Sequence, residues 1–433
     1  MDSLWTMTAQ PPQFSDRKQT MHADVAVIGG GMAGILCAYF LAREGVDCLV
    51  LEAERVCGGV SANTTAKLTF QHGLFCDTLL RRFGKERAQM FLASQREALS
   101  QYQTLCSEID CDHSQTSSGV YALHDRAAIE REVRAFEALG IDARFEPSLP
   151  IPLSIAGAVC VDGQAQFHPL KFAWALAKDL RIRENTRALA LPDDGVITSD
   201  GPVRAKSVIV ATHFPFPRWR GAYFLKMHQE RSYVLALDNA ADAGGMYVDM
   251  EKEGLSFRNH GTALLLGGLS HRTGVQSAGW EPLCGFAKEH YPAAREVCRW
   301  ATQDCITLDA VPYIGRLSKR TPNVYVAAGF NKWGMSSSMA AAIILRDLLT
   351  GRGSPYAALY DPSRSIMRAQ LFANAAHSTL GLLTPTVPRC GHLGCALKYN
   401  KQEHTWDCPC HGSRYSQRGE VAEGPAQKKI HRK

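Results

Sequence analysis

The residues best equipped for chemistry stand in two boxes near the end of the chain. The first is Cys390-Gly391-His392-Leu393-Gly394-Cys395; fifteen residues separate His392 from the second, Cys408-Pro409-Cys410-His411-Gly412-Ser413. Two thiolates and two imidazoles at this spacing can hold a [2Fe-2S] cluster, with Cys390 and Cys408 on one iron and His392 and His411 on the other. Imidazole ligation raises the potential of such a cluster. The same C-x-H and C-x-x-H set also offers zinc a tetrahedral S2N2 site. Cys395 and Cys410, one in each box, stand outside both ligand sets.

A second constellation lies near the start, where residues 23–56 read ADVAVIGGGMAGILCAYFLAREGVDCLVLEAERV. The pattern predicts a strand over Asp24–Ile28, a turn at Gly29-x-Gly31-x-x-Gly34, a helix over Ile35–Glu44 and a second strand, Asp47–Leu51, ending in Glu52. The first glycine permits the tight turn, the second lets a pyrophosphate approach the backbone, and the third lets the helix close on the sheet. The helix amino terminus then faces the phosphates. Glu52, eighteen residues beyond Gly34, is placed to accept hydrogen bonds from a ribose hydroxyl.

That motif alone suits FAD or NAD, and two later stretches favour FAD. Lys206–Thr212, KSVIVAT, is an apolar strand ending in Ala211-Thr212. Val324–Gly334, VYVAAGFNKWG, is a strand and a glycine-bounded turn into a helix over Met335–Thr350, whose amino terminus can stabilise negative charge on a flavin pyrimidine ring.

The elements that must position these groups have ample chain to draw on. With 433 residues, 45% hydrophobic, the sequence has room for two or three globular domains. Basic residues number 48 against 42 acidic, well mixed, so no strong field for nucleic acid or a membrane is implied. The basic stretch 427–433 reads as a solvated terminus. No apolar secretory region precedes Asp24, and no run of eighteen apolar residues predicts a membrane span. Fourteen cysteines in so long a chain fit reduced thiols in a cytoplasmic protein better than a disulfide scaffold.

Several stretches, in order, carry a family resemblance: Asn63-Thr64-Thr65-Ala66-Lys67-Leu68-Thr69 with Gln71-His72-Gly73, His168-Pro169-Leu170-Lys171-Phe172, Ala211 to Phe216, Glu230-Arg231-Ser232-Tyr233, Leu308 to Gly315, and Gly329 to Met335. Residues 24 to about 363 resemble FAD-dependent oxidoreductases of the D-amino-acid oxidase and glycine oxidase class, and more closely a bacterial subgroup that appends a Rieske domain. The two boxes resemble the Rieske pattern.

The resemblance implies an α/β fold in which a Rossmann-like FAD-binding domain (22–85, 151–215 and 300–352) is interleaved with an α+β substrate domain (86–150 and 216–299). A connector (353–385) leads to a small all-β Rieske-type domain (386–433). For FAD it implies Gly29, Gly31, Gly34, Glu52, Arg55, Thr65, Lys67, Gly329, Lys332, Trp333, Gly334 and Met335. For the [2Fe-2S] cluster it implies ligands Cys390, His392, Cys408 and His411, and a Cys395–Cys410 disulfide tying the two loops. Ser413 and Tyr415 would donate hydrogen bonds to a bridging sulfide and a ligand sulfur, raising the potential.

Chemistry in this class places a substrate C–N or C–H bond against the flavin, with protein groups positioning the substrate. Lys67 follows the second strand where the family approaches the flavin. His72 and His271 are candidate proton carriers because imidazole titrates near neutrality. Arg231 and Tyr233 alternate onto one face of a strand and form a candidate carboxylate clamp. The sequence contains neither a GxSxG elbow nor an HExxH helix, and no convincing mononuclear iron triad.

One departure stands out. Rieske domains ordinarily place several strands before the first box, whereas here Leu380–Val387 runs almost directly into Cys390. So short a domain needs staples or a docking surface, or else it is degenerate and binds its cluster poorly. The expected activity is oxidation of a small substrate, an amine or amino acid, with single electrons relayed through the cluster to an external acceptor. Two alternatives stay open: electrons entering through the cluster toward a flavin reductase, and an oxygen-using oxidase whose tail is a zinc clip or redox sensor.

Overall fold

The computed structural model describes residues 2–14, 21–217, 220–365, 369–386 and 388–430. Val387 and the last three residues of the basic terminus lie outside it.

The glycine motif folds as its spacing predicts. His22–Ile28 is a strand, Met32–Arg43 a helix and Cys48–Leu51 the next strand. The strands join a sheet in the order Tyr313–Arg316, Val324–Ala328, Gly201–Val210, His22–Ile28, Cys48–Leu51, Arg181–Arg183. All neighbours along it are parallel except the Tyr313–Arg316 edge. Parallel strands need cover on both faces, so they read as continuous apolar runs; Cys48–Leu51 is buried throughout. Met32–Arg43 and Gly334–Leu349, both apolar on nearly every side, pack together over one face.

A second sheet of nine strands is mostly antiparallel. Its path runs Arg295–Thr307, Met227–Asp238, Ala263–Arg272, Leu255–His260, Met246–Asp249, Ser114–Ala122, Gly157–Gln166, Lys67–Leu68. Lys67–Leu68, Gly157–Gln166 and most of Arg295–Thr307 come from sequence blocks that the resemblance allots to the FAD domain, so this sheet stitches the two halves together. The block 86–150 is less uniformly helical than expected. The helix Cys76–Cys106, kinked where Gly84 takes φ +80°, and the helix Arg126–Ala138 flank the strand Ser114–Ala122.

The tail is a four-stranded antiparallel sheet of Lys398–Asn400, Thr405–Asp407, Arg414–Tyr415 and Val421–Glu423. Among the described residues no strand precedes the first box after the connector helix Ala369–Leu383, only a single bridge between Arg389 and Ala396. The tail's own buried core is seven residues, four of them cysteines. Such a core cannot hold a domain by itself, and the rest of its support comes from the substrate sheet.

Candidate flavin cavity and cluster site

A cavity of about 720 Å³ runs from the glycine turn to the start of the helix Gly334–Leu349. Its geometry fits a dinucleotide. Gly29 takes φ +105°, where a Cβ would lie 2.5 Å from the Ala211 carbonyl oxygen. Gly34 fits against the turn so closely that a Cβ would lie 1.8 Å from the Gly29 carbonyl oxygen. Gly31 lines the cavity and begins the helix; the Met32 amide donates to Ser61 Oγ at 2.9 Å, and the remaining first-turn amides are left for phosphate. Glu52 accepts from the Gly30 amide at 2.6 Å and the Glu54 amide at 2.9 Å. Burial pushes its carboxyl up while those amides pull it down. Arg55 and Thr65 also line the cavity, as do Lys332, Trp333, Gly334 and Met335. Gly329 does not; it makes a φ +73° turn in which a Cβ would lie 2.3 Å from Thr307 Cγ2. Its role is steric, and the neighbouring Phe330 meets the cavity instead.

Of the five catalytic candidates, Lys67 is well placed. It lines the cavity, donates to Thr65 Oγ1 at 3.1 Å, and is pushed down to about 7 by burial and by the nearby Arg258 cation. His72 is not a cavity residue: its ring stacks on Trp333 at 5.0 Å, Nε2 lies 2.9 Å from Ser336 Oγ, and burial holds it neutral. It supports the tryptophan from behind. His271 lies on the far side of the sheet, 3.2 Å from the Tyr233 hydroxyl. Tyr233 touches the cavity, but its ring belongs to the core beneath the helix Glu281–His290 and its hydroxyl turns to His271.

Arg231 is the largest correction. Strand alternation does put it on the Tyr233 face, but that face meets the tail. Its guanidinium bonds Glu403 Oε1 at 2.9 Å and Glu423 Oε1 at 3.1 Å, with 5% of the side chain exposed. Arg414 bonds the same two glutamates at 2.8 and 2.9 Å, and Asp407 at 3.1 Å. Burial works to raise Glu423, yet Arg231 and Arg414 hold it down at about 2. Arg231 is therefore a docking residue rather than a substrate clamp.

The opposite face of the strand carries polar groups of which only Lys332 is expected from the sequence. Glu230, buried, receives Lys252 Nζ at 2.5 Å and Lys332 Nζ at 3.2 Å. Lys332 also donates to Ser270 Oγ at 2.6 Å. Lys252, Lys332, Ser270 and Asp304 line the cavity, and burial pushes Asp304 up to about 6. They come from four separate segments, so no local pattern could have assembled them. The one available signal was Glu230, beside the chosen Arg231 and one residue out of phase with it.

At the cluster boxes the four proposed ligands converge. The Cys390 and Cys408 thiols are neighbours, and the His392 and His411 rings lie perpendicular with centroids 5.0 Å apart. All four are buried. His411 Nδ1 is buried with no hydrogen-bond partner among the described residues, an expense that a metal bond would relieve. The Tyr415 hydroxyl lies 3.1 Å from Cys390 Sγ and accepts from the Gly391 amide at 2.8 Å. Ser413 Oγ accepts from the Ala426 amide at 3.1 Å, which leaves its own proton to donate. The donor set fits a [2Fe-2S] cluster.

The expected Cys395–Cys410 disulfide is not formed. Both residues are free thiols, and together with Cys408 their sulfurs lie within 4.8 Å of one another. The helix Ala369–Leu383 presses on them, because Gly381 comes so near that a Cβ would lie 2.5 Å from Cys410 Sγ.

Cavity and cluster share a wall. Phe214 lines the cavity, and its ring centroid lies 6.4 Å from that of His392 and 6.5 Å from that of His411. Residues 421–427 of the tail form part of the cavity lining. Gln229 donates to the His411 carbonyl at 2.6 Å and Gln303 to that of Gly412 at 2.9 Å. Arg272 holds the carbonyls of Pro409 and Cys410 at 2.9 and 3.1 Å. Docking of the tail on the substrate sheet thus takes the place of the missing strands.

Comparison with known proteins bears on both halves. Over 492 aligned positions the chain is 32% identical to the putative Rieske 2Fe-2S iron-sulfur protein YhfW of Bacillus subtilis, covering 99% of this chain and 97% of that one. The alignment is longer than the 433 residues here, so the relative carries segments that this chain lacks. Glycine oxidase from Geobacillus kaustophilus superposes with a TM-score of 0.67 at 19% identity, over 80% of this chain and 99% of that one. A 37-residue stretch, 8% of this chain and 16% of the other, is 54% identical to the cytochrome b6-f complex iron-sulfur subunit of Fritillaria agrestis. Residues 24–348 match the DAO family of FAD dependent oxidoreductases and residues 378–432 the Rieske [2Fe-2S] domain. The chain belongs to the FAD-dependent oxidoreductases of the DAO family and carries a Rieske [2Fe-2S] domain behind the flavoprotein fold.

Proposed function

We propose that this oxidoreductase oxidises a small amine or amino acid and passes the electrons singly through its cluster to an external acceptor. The observation that carries this reading is Phe214, one ring that lines the flavin cavity and lies against both cluster histidines. Bound FAD supplies a hydride acceptor and a bound Rieske cluster a one-electron carrier. The chain's own groups do the rest. Lys252 and Lys332 offer two ammonium groups to a substrate carboxylate, Asp304 faces the same space, and residues 421–427 help keep water out. The glycine oxidase likeness supports an amine or amino acid, and reduced cysteines support a cytoplasmic setting; no helix among the described residues is long and apolar enough to cross a membrane.

Protein purified without oxygen is expected to contain two iron per chain with a flavin spectrum, and to reduce an artificial one-electron acceptor with an amine substrate. Rapid hydrogen peroxide formation, or zinc in place of iron, would overturn the relay.

Lys67, at about 7, is largely neutral above that pH and can take a proton from a substrate ammonium. The expected kcat/KM rises with pH through about 7, and Lys67→Met removes that limb with a loss of about 10²–10⁴-fold. A pH profile unchanged in the variant excludes the role.

Tyr415→Phe removes one hydrogen bond to a charged sulfur, worth about 1.5–3 kcal/mol. With ~59 mV per tenfold for one electron, the midpoint should fall by on the order of 60–130 mV in a redox titration. An unmoved midpoint would exclude the hydroxyl from tuning the cluster.

A further inference from the structure

The connector helix Ala369–Leu383 is oriented inside out. Asn374, Ser378 and Gly381, at i, i+4 and i+7, face the protein. Asn374 Nδ2 donates to the Leu225 carbonyl at 3.2 Å, Ser378 Oγ lies 3.4 Å from His411 Nε2, and Gly381 covers Cys410. Large apolar side chains occupy the outer surface: Phe372, Leu380 and Leu383, at i, i+8 and i+11, share one face, with Leu382 at its edge. They are 63%, 65%, 74% and 49% exposed. Of the nine large hydrophobic side chains exposed among the described residues, four are on this one helix. A helix that only covered the cluster would carry its apolar residues inward.

The charge around this stripe is one-sided. From Arg364 to Arg389 the sequence has three arginines and no carboxylate. Arg364 turns inward to Asp309, while Arg389 sits at the helix carboxyl end, donating to the Leu382 carbonyl at 3.2 Å and that of Gly394 at 3.0 Å. Lys428, exposed, follows the first box in space, its carbonyl packed against Gly391. The stripe exposes on the order of 500 Å², typical of a functional patch and short of the ~800 Å² per partner that a stable protein pair buries. Apolar side chains on a single helix, in a segment without a carboxylate from 364 to 389 and closed by Arg389, suit the surface of an anionic bilayer.

We propose that the connector helix docks on an anionic membrane surface, inserting Phe372, Leu380 and Leu383 and holding the cluster face against the lipid. This goes beyond the relay and does not depend on which substrate reduces the flavin. A lipid-soluble acceptor would then meet the protein beside the connector helix, where Ser378 lies 3.4 Å from His411 Nε2.

The test is flotation of the full-length holoprotein with vesicles of phosphatidylcholine, alone and with added phosphatidylglycerol. Wild type is expected to float with the anionic vesicles and to detach as salt rises. Leu380→Ser/Leu383→Ser, confined to exposed side chains, is expected to lose about tenfold or more in partitioning, with flavin content and circular dichroism unchanged. Failure of wild type to float, or equal flotation of the double variant, overturns the proposal. A concentration-dependent dimer that the double variant abolishes overturns it in favour of a second copy of this chain.

Discussion

Arg231→Ala is expected to release the cluster domain from the flavoprotein. The substitution leaves Glu403 and the partly exposed Glu423 beside a single arginine, Arg414, where two now balance them together with Asp407. Removing one partner from a buried ionic network costs about 3–5 kcal/mol, and the tail's own core cannot absorb that. Thermal unfolding should split, the tail melting before the flavoprotein, and electron transfer to an external acceptor should collapse while reduction of the flavin by substrate persists. A triple variant, Arg231→Met with Glu403→Gln and Glu423→Gln, removes the charges together and should recover much of the loss. Had Arg231 clamped a substrate carboxylate, the single variant would raise KM and leave melting untouched, so calorimetry with steady-state kinetics decides between the two roles.

Gly34→Ala is expected to yield protein without flavin. The added methyl would lie 1.8 Å from the Gly29 carbonyl oxygen, and backbone rather than a flexible side chain stands in the way. The turn must open or the helix Met32–Arg43 must lift from the sheet, and either removes the amides that face the phosphates. Steric conflicts in a buried backbone belong to the few substitutions that cost upward of about 4 kcal/mol. Flavin absorbance per chain after purification checks this; a yellow variant with normal flavin content would refute the tight contact. Gly285→Ala, in the helix Glu281–His290 and outside the cavity lining, with open space around its Cβ, serves as the control.

These two residues also mark what the sequence could and could not reveal. The glycine turn was legible because its whole logic is local: strand, turn, helix and acid within thirty-odd residues, each constrained by backbone geometry alone. The cluster ligands were legible for the same reason, since each box holds a cysteine and a histidine within four positions. Arg231 was not. Period-two alternation correctly put it with Tyr233, but alternation cannot say which face meets the cavity. That was settled by carboxylates 172 and 192 residues away. Lys252, Ser270 and Asp304 escaped because each is an ordinary polar residue until the two sheets bring them together, whereas Lys332 was marked by the turn it sits in. The missing strands before the first box were also visible in the sequence; the connector helix and the Gln229, Gln303 and Arg272 contacts that replace them were not, being contacts between distant segments.

Residues 421–427, the wall that the tail contributes to the cavity, make the flavin chamber a structure of two domains. A newly made chain whose cysteine–histidine boxes have not yet organised lacks one side of its flavin chamber. FAD therefore has its widest access before the tail settles and its tightest enclosure afterwards. Protein kept from assembling its cluster is therefore expected to lose flavin faster on gel filtration than the holoprotein, and equal retention would separate the two sites.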